Sequence, residues 1–252
     1  MDSVSKVWGE KQEIHTRKTM FKRGVSAGMP IFLGYTPIAI AYGVLGQQSG
    51  LTVLEIVLMS IMVFAGASQF MGVKMIMDGI GSIEIILATF VLNFRHFVMS
   101  LSLMNRFKPL PLRWKGILSF GITDETFAMS SLFPKEAHQK NGAWFYAGLM
   151  LIAYSSWVTG SLVGGVLGDV IPPVLSNSMM IALYAMFIGL LVPSIKKEYK
   201  VGIIAAISIV INYMLTEFVG LSDGWSIVIA TILGGFSGVF ILDAPKEKES
   251  EG

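Results

Sequence analysis

Asn93, Arg95 and His96 lie within four positions of one another in LNFRHF (92–97), inside an apolar run from Ser82 to Met104. Asp124 and Glu125 stand at the midpoint of a second apolar run, 116–133. A guanidinium, an imidazole and two carboxylates can bind a zwitterion, pair with one another or carry protons. At mid-depth in a bilayer such groups must face protein or a watery cavity, and they mark substrate or ion pathways by default. On a helix, Asn93 and His96 share a face while Arg95 points about 100° away from His96. Arg95 therefore needs an anion or a wet cavity, and Asp124 and Glu125 are the carboxylates near the middle of another span. The pair reads either as a lock between two helices or as part of a transport pathway. His96 is a candidate proton carrier, because an unperturbed imidazole changes charge near neutral pH. It reads equally as a neutral histidine bonding across helices. Asp124 and Glu125 are adjacent and point to different faces, so one can pair with Arg95 while the other faces a cavity and titrates.

FAGASQF (64–70) interrupts the apolar run 51–77 with Gly66, Ala67, Ser68 and Gln69. Small residues there allow close helix packing, which the motif taken alone favours, or expose backbone groups to a ligand. Half-helix ends carry partial charges suited to a carboxylate or an ammonium group, and Ser68 and Gln69 could add specific hydrogen bonds. Gly160, Gly164 and Gly168 form a doubled GxxxG ridge, and Gly24/Gly28 and Gly234/Gly238 repeat it singly. Such ridges let membrane helices approach closely and say little about chemistry. Pro30 and Pro37 are expected to kink the first span, and Asn212 and Glu217 are secondary polar candidates, Glu217 reading as interfacial.

The chain that positions these groups is built for lipid. Of its 252 residues 53% are apolar and 14% charged, against about 25% charged in a soluble domain. The expected fold is all-α: a polytopic membrane helix bundle with six to eight transmembrane segments, some broken or re-entrant. A net charge of +2 makes no case for nucleic acid. The absence of cysteine excludes disulfides, thiolate metal sites and a cysteine nucleophile. His15, His96 and His138 lack metal-ligand spacing, so neither a metal nor a cofactor is expected. An enzyme is not expected either. HExxH and GxGD are both missing, and Ser68 in GASQ lacks the second glycine of a serine elbow.

A helix needs about 20 apolar residues to cross a bilayer. Eight segments qualify as candidates: 24–46, 51–77, 82–104, 116–133, 143–168, 178–194, 201–220 and 225–242. They form a permease domain, 24–242, between a basic N-terminal tail, 1–23, and a charged C-terminal tail, 243–252. The positive-inside rule places both tails in the cytoplasm. Eight full crossings would leave the basic loop 105–115 outside. Six crossings keep every basic loop inside if 51–77 and 116–133 fail to span. Both carry the polar interruptions expected of broken or re-entrant helices, and neither should face lipid. A weak echo, GVLG (43–46) followed by FAG (64–66) and GVLG (165–168) followed by FIG (187–189), is consistent with an internal repeat or with chance.

FAGASQF, LNFRHFVMSLSL and GITDETFA, in this order and spacing, resemble the large subunit of the AzlC-type branched-chain amino acid exporters, the azaleucine-resistance family. The likeness runs over roughly 20–242. It implies a bacterial inner-membrane permease that exports branched-chain or related hydrophobic amino acids beside a small AzlD-type subunit. An aliphatic amino acid would need polar groups for its zwitterion and an apolar pocket for its side chain. Arg95 would hold the carboxylate, and Asp124 or Glu125 the ammonium. Ser68, Gln69 and Asn93 would complete the hydrogen bonding, with Phe64, Phe70, Phe94 or Phe97 shaping the pocket. With no ATP-binding motif, coupling to a proton gradient through His96, Asp124 or Glu125 is the natural expectation. The alternatives are a transporter of another small zwitterion or organic ion, and a structural or channel-like subunit.

Overall fold

The computed structural model describes residues 16–168, 170–172 and 181–241. Residues 1–15 of the tail expected at 1–23, the whole tail expected at 243–252, and residues 169, 173–180 and 242 lie outside the described residues, while 17–23 already belong to the first helix. Among the described residues the chain is all-α, with ten α-helices, one short 3-10 turn (Pro134–His138) and no strand.

α1 (Arg17–Gln48) starts on Thr16, whose side chain accepts from the Thr19 N–H, and runs unbroken through Pro30 and Pro37. It begins seven residues before the apolar segment. α7 (Gly142–Leu167) lies parallel to it, because glycines bring the two backbones together. A Cβ on Gly24 would overlap Phe145 O, one on Gly43 would overlap Ser161 O, and one on Gly164 would overlap Ile40 O. The expected Gly24/Gly28 and Gly160/Gly164 ridges are thus the two sides of a single contact. The face where α1 and α7 begin is called proximal below, and the opposite face distal.

The two interrupted segments do not span. α2 (Val53–Met62) starts distally on a capping box, in which Thr52 and Glu55 satisfy each other's backbone N–H. It reaches mid-depth, where Ile61 O accepts from the Tyr154 hydroxyl at 2.9 Å. The chain breaks at Val63–Ala65, and α3 (Gly66–Met77) returns distally, packing Phe70 on Tyr42. α4 (Ser82–Arg106) then crosses to the proximal face. There the Arg106 guanidinium donates to Ser131 O at 3.1 Å and Phe107 lies 4.6 Å from the Tyr146 ring.

α5 (Leu112–Phe120) enters from the proximal face beside Trp144 and reaches Met150 and Tyr154 at its tip. α6 (Asp124–Leu132) carries the chain back, so that Glu136 meets Arg23 at 2.7 Å and Tyr146 donates to Phe133 O. Two re-entrant hairpins therefore enter from opposite faces and turn at mid-depth. The basic stretches Arg17–Arg23, 105–115 and 134–142 gather at one face, as the six-crossing reading requires.

α8 (Ile181–Lys197), α9 (Tyr199–Glu217) and α10 (Asp223–Ile241) follow in antiparallel order, with Ile195 beside Gly202 and Ser208 beside Gly234. The Ser222 hydroxyl bonds the Glu84 carboxylate and ties the α9–α10 turn to the distal end of α4. Among the described residues five helices, α1, α4, α7, α9 and α10, are long and apolar enough to cross a membrane. α8 has 17 residues. The chain is a polytopic membrane helix bundle. Its core is an aromatic-rich packing of α1, α7 and the two hairpins, including Tyr42, Phe70, Phe145, Tyr146 and Trp157. α4 buries only Ala88 and Leu103, and α9 buries nothing, so their apolar faces look outward.

Candidate functional site

The two hairpin turns meet at mid-depth. α3 begins at Ala65 with no side-chain cap on its first turn. Its leading N–H groups have no intrahelical acceptor, and Ala65, Gly66 and Ala67 line a cavity. α6 begins at Thr123, whose side chain forms a capping box with Thr126. Asp124 and Glu125 occupy its first turn, where negative charge complements the helix dipole. Two positive half-helix ends thus converge on one cavity, and the second carries its own carboxylates.

α4 supplies the cation. Arg95 Nη1 lies 2.7 Å from Asp124 Oδ2, the pair that the sequence proposed, and both side chains are about a quarter exposed (28% and 25%). Glu125 takes the other direction, as adjacency requires. Its carboxylate bonds the Tyr35 hydroxyl, which also lies 2.7 Å from Thr123 Oγ1. Asp124 thereby ties α6 to α4, and Glu125 ties it to α1. His96 Nδ1 bonds the Asn93 carbonyl one turn back at 3.1 Å. Arg95 Nε, His96 Nε2 and Asn93 Oδ1 are buried without a protein hydrogen-bond partner.

The apolar wall is aromatic. Tyr35 packs edge-on against Trp157, with ring centroids 5.5 Å apart, and against Phe64 at 6.4 Å. Phe64 also meets Tyr154 at 5.0 Å. Phe64 is buried with φ +43°, a left-handed conformation that is an outlier for a bulky residue. It stands in the break that ends α2 and starts α3. The cavity between these groups measures about 20 Å³, room for about one water. A cavity of this size does not hold an aliphatic amino acid.

Of the residues singled out by sequence, the cavity gathers Arg95, His96, Asp124, Glu125 and Phe64. The other candidates lie elsewhere. Gln69 is 1% exposed and turned into the packing between α3, α2 and α7. It accepts from Ala65 N–H at 3.3 Å and from Trp157 Nε1–H at 2.9 Å, and donates to Ser60 Oγ at 3.1 Å. Ser68 bonds back to Ala65 O, and Phe70 is fully buried against Tyr42. Asn93 lies a turn away from the lining. Phe94 and Phe97 are 52% and 56% exposed on the outer face of α4. Asn212 is on α9, and Glu217 is exposed at that helix's end.

Tyr35 and Trp157 were not legible as site residues. Each sits in a span that carries no charged residue near it, and only the parallel α1–α7 contact aims both at the cavity.

Comparison with known proteins agrees with this architecture. The family model described as AzlC protein matches residues 30–171, a range that holds every residue lining the cavity. An uncharacterized membrane protein of Archaeoglobus fulgidus is 27% identical over 225 residues, covering 88% of this chain and 98% of its own. The branched-chain amino acid transport protein AzlC of Bacillus subtilis is 26% identical over 71% of this chain and 70% of its own. The inner membrane protein YgaZ of Escherichia coli is 27% identical over 74% of this chain and 78% of its own. No solved structure matches. The chain belongs to the AzlC family and is a polytopic membrane transport protein.

Proposed function

We propose that this protein is a secondary exporter of branched-chain or related hydrophobic amino acids, and that the mid-depth cavity is its substrate site. A single arrangement supports the reading most strongly: the Arg95–Asp124 pair at 2.7 Å, set between two half-helix N-termini that enter from opposite faces. Cation, carboxylates and helix ends match the two charges of a zwitterion, and the aromatic wall matches an aliphatic side chain. The substrate carboxylate binds Arg95 and the uncapped turn of α3, exchanging with Asp124 for the guanidinium. The ammonium binds Asp124 or Glu125. Phe64, Tyr35 and Trp157 close on the side chain. Ser68, Gln69 and Asn93 act one layer out, by holding the α3 turn and His96.

Because the site lies between the tips of two oppositely inserted hairpins, moving one tip away opens it to one face and moving the other opens it to the opposite face. Discontinuous helices serve transporters in this way. Protons carried on Asp124, Glu125 or His96 couple the cycle, consistent with a sequence that has no nucleotide-binding motif. On this reading the proximal face, where basic residues gather, and with it both chain ends face the cytoplasm of a bacterial inner membrane, as the positive-inside rule favours. The outward apolar faces of α4 and α9 suit lipid and a small AzlD-type subunit.

The test is efflux of labelled leucine from reconstituted vesicles, with and without a pH gradient. Each hydrogen bond to a charged group contributes about 1.5–3 kcal/mol. Arg95→Gln should therefore weaken leucine binding by about 10- to 150-fold, with the protein still monodisperse. Unchanged gradient-driven flux in Arg95→Gln and Asp124→Asn would reduce the pair to a structural lock. A transporter of another small zwitterion would keep the residue dependence but not the leucine preference.

A further inference from the structure

We propose that a groove between α5 and α7 holds one acyl chain of an anionic phospholipid, with the headgroup phosphate at Arg17. The groove has a volume of about 300 Å³ and is separate from the central cavity. Phe21 of α1, Leu118 and Gly121 of α5, and Ala147, Met150 and Tyr154 of α7 line it. Its one phenol is already committed to Ile61 O, so the surface offers a ligand almost nothing but hydrocarbon.

Length and charge select the occupant. The groove runs from Trp144 near the proximal end of α7 to Tyr154 at mid-depth. At 1.5 Å per residue that span is about 15 Å, half of a hydrocarbon core about 30 Å thick. It is one leaflet deep. Its mouth is marked by Trp144 and Trp114, with ring centroids 5.1 Å apart, and indoles favour the headgroup level. The Arg17 guanidinium sits 6.0 Å above the Trp144 ring. Arg17, Lys18, Lys22 and Arg113 are exposed there, and neither 16–23 nor 107–117 contains an acidic residue. Among the described residues Arg17 forms no ion pair. Basic clusters at such a rim attract anionic headgroups. Phosphate alone would find cations at this mouth but no use for the apolar trench behind them.

The inner end has a consequence for the rest of the molecule. Gly121 and Tyr154 end the groove, Tyr154 packs on Phe64, and Thr123–Glu125 follow Gly121 after a single residue, Ile122. An acyl chain there fills the space behind the hairpin tip that carries both carboxylates.

Native mass spectrometry of the detergent-purified full chain tests this, using phosphatidylglycerol and phosphatidylcholine with identical chains. One bound phosphatidylglycerol should be retained about fivefold over phosphatidylcholine, the preference expected of one interfacial cation. Arg17→Gln should abolish that preference, and Ala147→Phe should cut retention of both lipids. If Ala147→Phe does not fold, Leu151→Phe fills the same groove. In vesicles, phosphatidylglycerol with brominated acyl chains should quench a tryptophan signal that disappears in Trp144→Phe and escapes quenching in the filled-groove variant. Equal retention of the two lipids, retention unchanged in both variants, or displacement by inorganic phosphate would overturn the assignment. So would a bound protein subunit that excludes the brominated lipid.

Discussion

Gln69 separates a substrate contact from a structural strut, because its three hydrogen bonds are all internal. Leucine in its place has similar bulk and opens no large cavity, but it accepts nothing. The Trp157 Nε1–H and Ala65 N–H then stay buried without acceptors. Each unsatisfied buried donor costs about 1–3 kcal/mol, so two cost roughly 2–6 kcal/mol. The lower end is expected, since hydrogen bonds within membranes contribute less than this on average. For a chain of this size about 2 kcal/mol corresponds to a fall in Tm of roughly 4–8 °C. Thermal denaturation in detergent, followed by size-exclusion chromatography, reads that fall. Gln69→Glu should recover most of it, because at that depth the carboxyl stays protonated, its carbonyl oxygen accepts from the N–H groups and its O–H donates to Ser60. Leucine affinity should follow the loss of fold across this series. A Gln69→Leu protein that melts like the parent but no longer binds leucine would refute the assignment and return Gln69 to the ligand.

Two further outcomes test the frame around the site. Gly164→Val should abolish monodisperse protein, because its Cβ would overlap Ile40 O and sit 3.0 Å from the Gly43 Cα, whereas Gly34→Ala, with open space at its Cβ, should be tolerated; equal yields of the two would refute the α1–α7 contact. Single cysteines at Pro111 and Lys140 should react with an impermeant thiol reagent from one side of the membrane, and those at Asp78 and Val219 from the other. Pro111 reacting together with Asp78 would mean that α5–α6 crosses after all.

How much of this was readable from sequence depends on the kind of interaction. Free energies of burial made the segments legible: roughly 20 apolar residues in a row have nowhere to go but a bilayer, and a pairing of Arg95 with Asp124 or Glu125 follows from the cost of leaving a charge alone at that depth; the structure chose Asp124. The break in 116–133 was legible for a related reason. Two acids at the centre of an 18-residue run disfavour its insertion as one span, and the structure then showed Thr123 capping a second helix there. In 51–77 the small residues were seen but misplaced by a turn. GASQ opens α3, and the break is Val63–Ala65, with Phe64 at positive φ.

What composition and period alone determined, then, was the set of apolar segments, the two among them that carry polar interruptions, and the mid-depth charges that need partners. Tertiary structure decided which side chains face the cavity. Gln69 and Phe70 are as polar and as bulky as a ligand contact should be, yet α3 turns them into its own packing, while Tyr35 and Trp157 enter the site unannounced. A helix face takes its meaning from whatever packs against it. The glycines that draw α1 onto α7 join residues far apart in sequence, and no local pattern records that choice.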